Sequence, residues 1–153
     1  VRELAKLRAL TAPERRLFLF CLAGTLLVSA GLAIFGFRRV RDAMSRWPKP
    51  REACYPAPAA LARARSVARV VAIVAGRGPV RASCLRRSLL VWWILRHDGI
   101  ETALRIGVSR EGGAFHAHAW VEHSGLPLND EADVARRFPP FEQNFSAPAE
   151  RAS

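Results

Sequence analysis

The stretch A-S-C-L-R-R-S-L-L-V-W-W-I-L-R-H at residues 82–97 decides how the rest of the chain reads. Apolar residues at 85, 89, 90, 92, 93 and 95 recur at helical spacing, and Cys84 follows Ser83 where that pattern begins. The spacing predicts a buried helix with a thiol in its first turn. Asp98-Gly99 should close it, because glycine suits the left-handed closing position. First-turn N–H groups have no intrahelical partner and the helix dipole is positive there, so the location favours thiolate over thiol. Cys84 is therefore a candidate nucleophile. The plainer reading of the same helix is a small buried core cysteine.

Residues downstream of the helix strengthen the candidate. Beyond Gly99 the pattern changes to alternation, with Leu104, Ile106 and Val108 set against Arg105, Gly107 and Ser109. Gly112-Gly113 makes a turn. Residues 114–122 then place Phe115, Ala117, Ala119 and Val121 on one face and His116, His118, Trp120 and Glu122 on the other. His123-Ser124-Gly125 turns the chain again, and residues 126–130 are expected as a third short strand. A thiol acyl-transfer centre needs a nucleophile, an imidazole to shuttle its proton, and a carboxylate to hold the imidazole. Cys84, His118 and Asp130 occur in that order. His116 and His118 share a face, so alternation does not choose between them. Asn129 and Asp130 should point to opposite faces, and only Asp130 carries charge.

Upstream, residues 59–75 put Leu61, Ala64, Val71 and Val74 on one stripe, an amphipathic helix ending at Gly76. Trp47-Pro48, Pro50, Pro56 and Pro58 mark residues 40–58 as an irregular connection. Residues 2–10 read as a short amphipathic helix stopped by T-A-P. Residues 17–37, L-F-L-F-C-L-A-G-T-L-L-V-S-A-G-L-A-I-F-G-F, carry no charge and would extend about 31 Å as a helix, enough to cross a bilayer. V-S-A at 28–30 also resembles a signal cleavage site. Arg15-Arg16 and Arg38-Arg39-Arg41 flank both ends, so the positive-inside rule assigns no orientation. Gly24, Gly31 and Gly36 weaken the segment as a lone helix. A membrane span and a helix buried in protein both fit it.

The 153 residues suit a single domain, with an N-terminal helical region and connection at 1–58, a core at 59–141 and a flexible tail at 142–153. The 24 Lys+Arg against 13 Asp+Glu give a formal charge of +11, which favours acidic partners. The arginines are spread over several elements without interleaved stacking aromatics, which argues against nucleic acid. Cys21, Cys54 and Cys84 show neither C-x-x-C nor histidine at ligand spacing, so no metal and no disulfide framework is expected. Gly76-Arg77-Gly78-Pro79 lacks the ending of a phosphate loop, so no nucleotide cofactor is expected.

The strings C-L-R-R-S-L-L-V-W-W-I-L-R-H-D-G-I from Cys84, L-R-I-G-V-S-R from Leu104 and F-H-A-H-A-W-V-E-H-S-G-L-P-L-N-D from Phe115 resemble the lasso-peptide biosynthesis B2 proteins, the transglutaminase-like leader peptidases. The resemblance is close over about residues 60–141, and the apolar 17–37 stretch followed by F-R-R is similar to the N-terminal helix of that family. It implies an α+β, papain/transglutaminase-like fold, with N-terminal helices followed by a nucleophile helix on a small antiparallel sheet. It also implies a cytoplasmic cysteine peptidase that removes the leader from a ribosomally made precursor. By the same resemblance Cys84 is nucleophile, His118 general base and then acid, and Asp130 the orienting carboxylate, H-A-W-V-E favouring His118 over His116. The implied partners are the precursor, a separate B1 leader-recognition protein and a macrolactam synthetase, with residues 17–37 facing the core or a partner in preference to a membrane. One oxyanion donor is expected from the Cys84 backbone N–H, and no glutamine before Cys84 offers a second. The rival readings are an acyltransferase with the same triad and a non-catalytic, membrane-anchored basic protein.

Overall fold

The computed structural model describes residues 12–46, 56–77, 83–111 and 114–141. Helices α1 (Ala12–Arg46), α2 (Ala57–Arg77) and α3 (Cys84–His97) lead into strands β1 (Ala103–Glu111), β2 (Ala114–His123) and β3 (Leu126–Pro127), with a last turn of helix, α4 (Val134–Arg137). The three strands form one antiparallel sheet in the order β1-β2-β3. The expected α+β architecture of a helical layer on a small sheet is what the chain adopts.

One core joins these elements. Val67, Val70, Val71 and Val74 from α2 meet Leu89, Leu90, Val91 and Leu95 from α3, with Cys21 and Val28 from α1 and Leu104 and Val121 from the sheet. Full burial of each such side chain is worth about 1.5–3 kcal/mol, so the apolar stripe of α3, which faces both layers, organises the fold. α3 ends as the sequence predicts: Gly99 has φ 73° and the Ile100 N–H reaches the Leu95 carbonyl at 2.9 Å. Arg63 of α2 holds that turn through Asp98, Nε donating to Oδ2 at 2.8 Å.

Three expectations are corrected. The connection predicted to begin at residue 40 is helical up to Arg46, because the break falls earlier, at Gly36 (φ 75°, ψ 170°). Beyond it Val40 is buried, Met44 packs on the core and Arg96 donates to the Ser45 carbonyl at 3.2 Å, so tertiary contacts carry the helix on. Gly76 lies inside α2, which runs one residue further. The third strand stops at Pro127 instead of reaching residue 130. There the Asn129 side chain takes over the ladder: Val121 N–H donates to Asn129 Oδ1 at 2.8 Å, while the Val121 carbonyl accepts from Leu128 N–H.

The two faces of β2 also differ from simple alternation. Ala119 and Val121 are in the core, but Phe115 is 74% exposed and Trp120, on the face predicted to be polar, is fully buried. Both faces are covered at the end of β2 nearest β3. The expected helix over residues 2–10, Cys54 and the Gly112-Gly113 turn lie outside the described residues.

Candidate active site

Cys84 is the first residue of α3, half-buried and with a free thiol. Ser83 sits in extended conformation before it, and its hydroxyl makes no cap hydrogen bond, so the first-turn N–H groups receive nothing from that side chain. Cys21 is a different kind of cysteine. It is fully buried, and burial pushes its thiol up to about 12 against a smaller lowering by the Arg63 charge. At neutral pH it is a neutral core side chain.

The imidazole and the carboxylate are brought together. His118 Nε2 and Asp130 Oδ2 are 2.5 Å apart, with both side chains largely buried. An ionised carboxylate only accepts, so Nε2–H is the donor and Nδ1 is left as the basic nitrogen. Asp130 is itself held: Oδ1 accepts from the Glu131 N–H at 2.9 Å and lies 3.4 Å from Arg137 Nη2. Aromatic rings wall the imidazole, with Trp120 stacked at 6.3 Å and Phe138 tilted against it at 4.8 Å between centroids. His116 is exposed, and Asp133 pairs with Arg136 and Arg137 at the start of α4. Among the described residues no hydrogen bond joins the Cys84 sulfur to the imidazole, a link that free enzymes commonly close only with substrate in place.

What relates the thiol to the other two is a buried polar bridge that the sequence pattern did not reveal. Ser88, one helical turn after Cys84, is completely buried. Its hydroxyl donates to the Ala119 carbonyl at 2.8 Å and accepts from Asn129 Nδ2 at 2.9 Å. Ala119 adjoins His118, and Asn129 adjoins Asp130. Ser88 and Asn129 therefore tie together the three segments that carry the candidate residues, each bond made beside or one turn from one of them. In the sequence Ser88 is only a polar gap in an apolar pattern.

The bridge and the ladder also account for the H-A-W-V-E string. His118 meets Asp130, Ala119 lends its carbonyl to Ser88, and Val121 gives its side chain to the core and its N–H to Asn129. The indole of Trp120 donates to Glu122 Oε1 at 2.8 Å, and Glu122 Oε2 receives Arg105 Nε at 2.9 Å. The buried indole N–H and the partly buried carboxylate are thereby both satisfied.

Gly107 is the other residue the pattern missed. It pairs with His118 in register, and the chain at 138–141 crosses it, with a bridge to Pro140 and Phe141 N–H donating to the Ile106 carbonyl at 3.0 Å. A Cβ at Gly107 would stand 2.3 Å from the Phe138 carbonyl oxygen. Gly107→Ala is therefore expected to cost roughly 1–3 kcal/mol by overpacking. It should also slow any chemistry at His118, because Phe138 must move off the imidazole. Thermal unfolding and steady-state kinetics of the variant check both effects; an unchanged melting temperature with unchanged rate would show that the crossing strap is not held as described.

Comparison with curated proteins and with solved structures gives no match. A family model for the transglutaminase-like superfamily matches residues 25–143. The matched interval holds most of α1, the core apart from Cys21, and Cys84, His118 and Asp130 together. With well over half of its length matched and the helix-on-sheet fold in place, the chain belongs to the transglutaminase-like superfamily.

Proposed function

We propose that this protein is a cysteine peptidase that cuts one peptide bond in a ribosomally made lasso-peptide precursor and so releases the leader. The superfamily includes cysteine peptidases and acyltransferases, which makes thioester chemistry the common ground. The observation that carries the reading is the His118–Asp130 hydrogen bond, fixed through Ser88 and Asn129 to the helix that starts with Cys84. The choice of a lasso-peptide leader rests on the resemblance of the strings around Cys84, Leu104 and His118 to the B2 proteins.

In this reading His118 Nδ1 takes the thiol proton as sulfur attacks the scissile carbonyl carbon. The Cys84 backbone N–H, without an intrahelical acceptor, donates to the oxyanion. The tetrahedral species collapses by breaking the C–N bond, and the imidazolium gives its proton to the departing amine. The leader is then held as a thioester on Cys84. Water, deprotonated by the same nitrogen, attacks that carbonyl and returns the free thiol and a leader carboxylic acid. Asp130 holds the imidazole tautomer and stabilises its positive form throughout.

The precursor would be presented by a separate B1 leader-recognition protein, and the freed core handed to a macrolactam synthetase, all in the cytoplasm. The +11 charge suits an acidic leader or an acidic face on the partner. The test is incubation of precursor, B1 and this protein, with products weighed with and without a primary amine. Two fragments summing to precursor plus water are expected, with the leader ending in a free acid. A leader fragment formed only as the amide of the added amine would make the protein an acyltransferase, and intact precursor would end the peptidase reading.

A further inference from the structure

Helix α1 presents a second apolar face that the fold leaves uncovered. Cys21, Thr25 and Val28 point into the protein, but the exposed positions between residues 19 and 35 are Leu19, Phe20, Ala23, Leu26, Leu27, Ala30, Ala33, Ile34 and Phe35. They recur at helical spacing, and none has a polar side-chain atom. Leu27 is 73% and Ile34 70% exposed, and most of this apolar run lies outside the core. A continuous stripe of this kind on a soluble surface marks an interaction site.

From these features we infer that α1 docks on an anionic phospholipid surface, lying in the plane of the bilayer with the stripe embedded. Three observations choose this occupant. The stripe offers a partner protein no side-chain donor or acceptor, whereas protein interfaces carry about one hydrogen bond per 100–200 Å². Arginines stand at its ends: Arg15 and Arg16 precede Leu19 and Phe20 by one turn on the same face. Beyond the kink Arg38 and Arg39 are exposed, and Arg39 edges an apolar groove of about 520 Å³ lined by Leu27, Phe35, Met44 and Trp93. Arginine beside apolar surface is the chemistry that takes up a phosphate headgroup together with its acyl chains.

The packing sets the orientation. Both limbs of α1 lie against α3: before the Gly36 kink Phe20 stacks on Trp93 at 5.7 Å and Gly24 packs against Leu90, and after it the Ser45 carbonyl accepts from Arg96. A spanning α1 would carry charged residues of α2 and α3 into hydrocarbon, while an in-plane α1 leaves them in water. The docking surface is independent of the reaction proposed for Cys84.

The experiment is sedimentation of the full chain with vesicles of phosphatidylcholine containing phosphatidylglycerol, and of phosphatidylcholine alone. Salt-sensitive binding is expected, stronger to the anionic vesicles. Leu27→Glu with Ile34→Glu, both at exposed positions and checked by circular dichroism for unchanged helix content, should weaken it by about tenfold or more, since a charge replaces apolar anchorage. Arg15→Ala with Arg16→Ala should reduce only the preference for anionic lipid. No binding by the wild-type chain, or equal binding by the glutamate variant, would overturn the inference. So would a wild-type dimer that the glutamate variant dissolves, because a second copy would then be the occupant.

Discussion

Cys84→Ala is expected to reduce precursor cleavage to background while leaving the fold intact, since the half-buried side chain at the head of α3 contributes little to the core. His118→Ala should nearly eliminate activity, and Asp130→Asn should lower it by about 10⁴-fold. The asparagine case is the more informative. Its amide can donate to Nε2, which favours the imidazole tautomer with its proton on Nδ1, the nitrogen needed as base. Asp133→Asn and His116→Ala should have mild effects, because among the described residues Asp133 pairs with Arg136 and Arg137 and not with His118, and His116 is exposed. Rate measurements on folded variants check the series, and a larger loss at Asp133 than at Asp130 would move the site.

The second large effect belongs to Ser88 and Asn129. Ser88→Ala leaves the Asn129 amide and the Ala119 carbonyl each short of a partner, and Asn129→Ala leaves the Val121 N–H and the Ser88 hydroxyl so. A buried polar group without a partner costs about 1–3 kcal/mol, which lowers the melting temperature of either variant. Turnover should fall by about 10²-fold in each, with KM little changed, because a shift of about 1 Å between nucleophile and base has that effect. The two act as one bridge, so the double variant should lose little more in kcat than the worse single one. Strictly additive losses would mean that the residues stabilise separate parts and do not set the geometry of the site.

Local periodicity carried most of the fold into view. The α3 limits, its closure at Gly99 and the two long strands are legible in patterns spanning a few residues. The errors arise where distant groups decide. Val40 to Arg46 stays helical because Met44 and the Ser45 carbonyl find partners on other elements, and β3 is cut short because an asparagine side chain takes the place of its backbone. Trp120 escaped the polar-face reading because residues 128–141 return over that face, something alternation in β2 cannot express. The candidate site divides in the same way. Cys84, His118 and Asp130 stand out by residue type and order, whereas Ser88 and Asn129, 41 positions apart, have no pattern that links them before the chain folds.

The proposed chemistry transfers the leader carbonyl to the sulfur of Cys84. It is tested most directly by treating the protein with a leader peptide whose C-terminal carboxyl is replaced by a chloromethyl ketone, then mapping the adduct by mass spectrometry. A single adduct is predicted, on the peptide containing Cys84, formed more slowly in His118→Ala and abolishing precursor cleavage as labelling completes. Labelling at Cys21 or Cys54 instead, or cleavage at full rate by protein labelled at Cys84, would show that Cys84 is not the nucleophile.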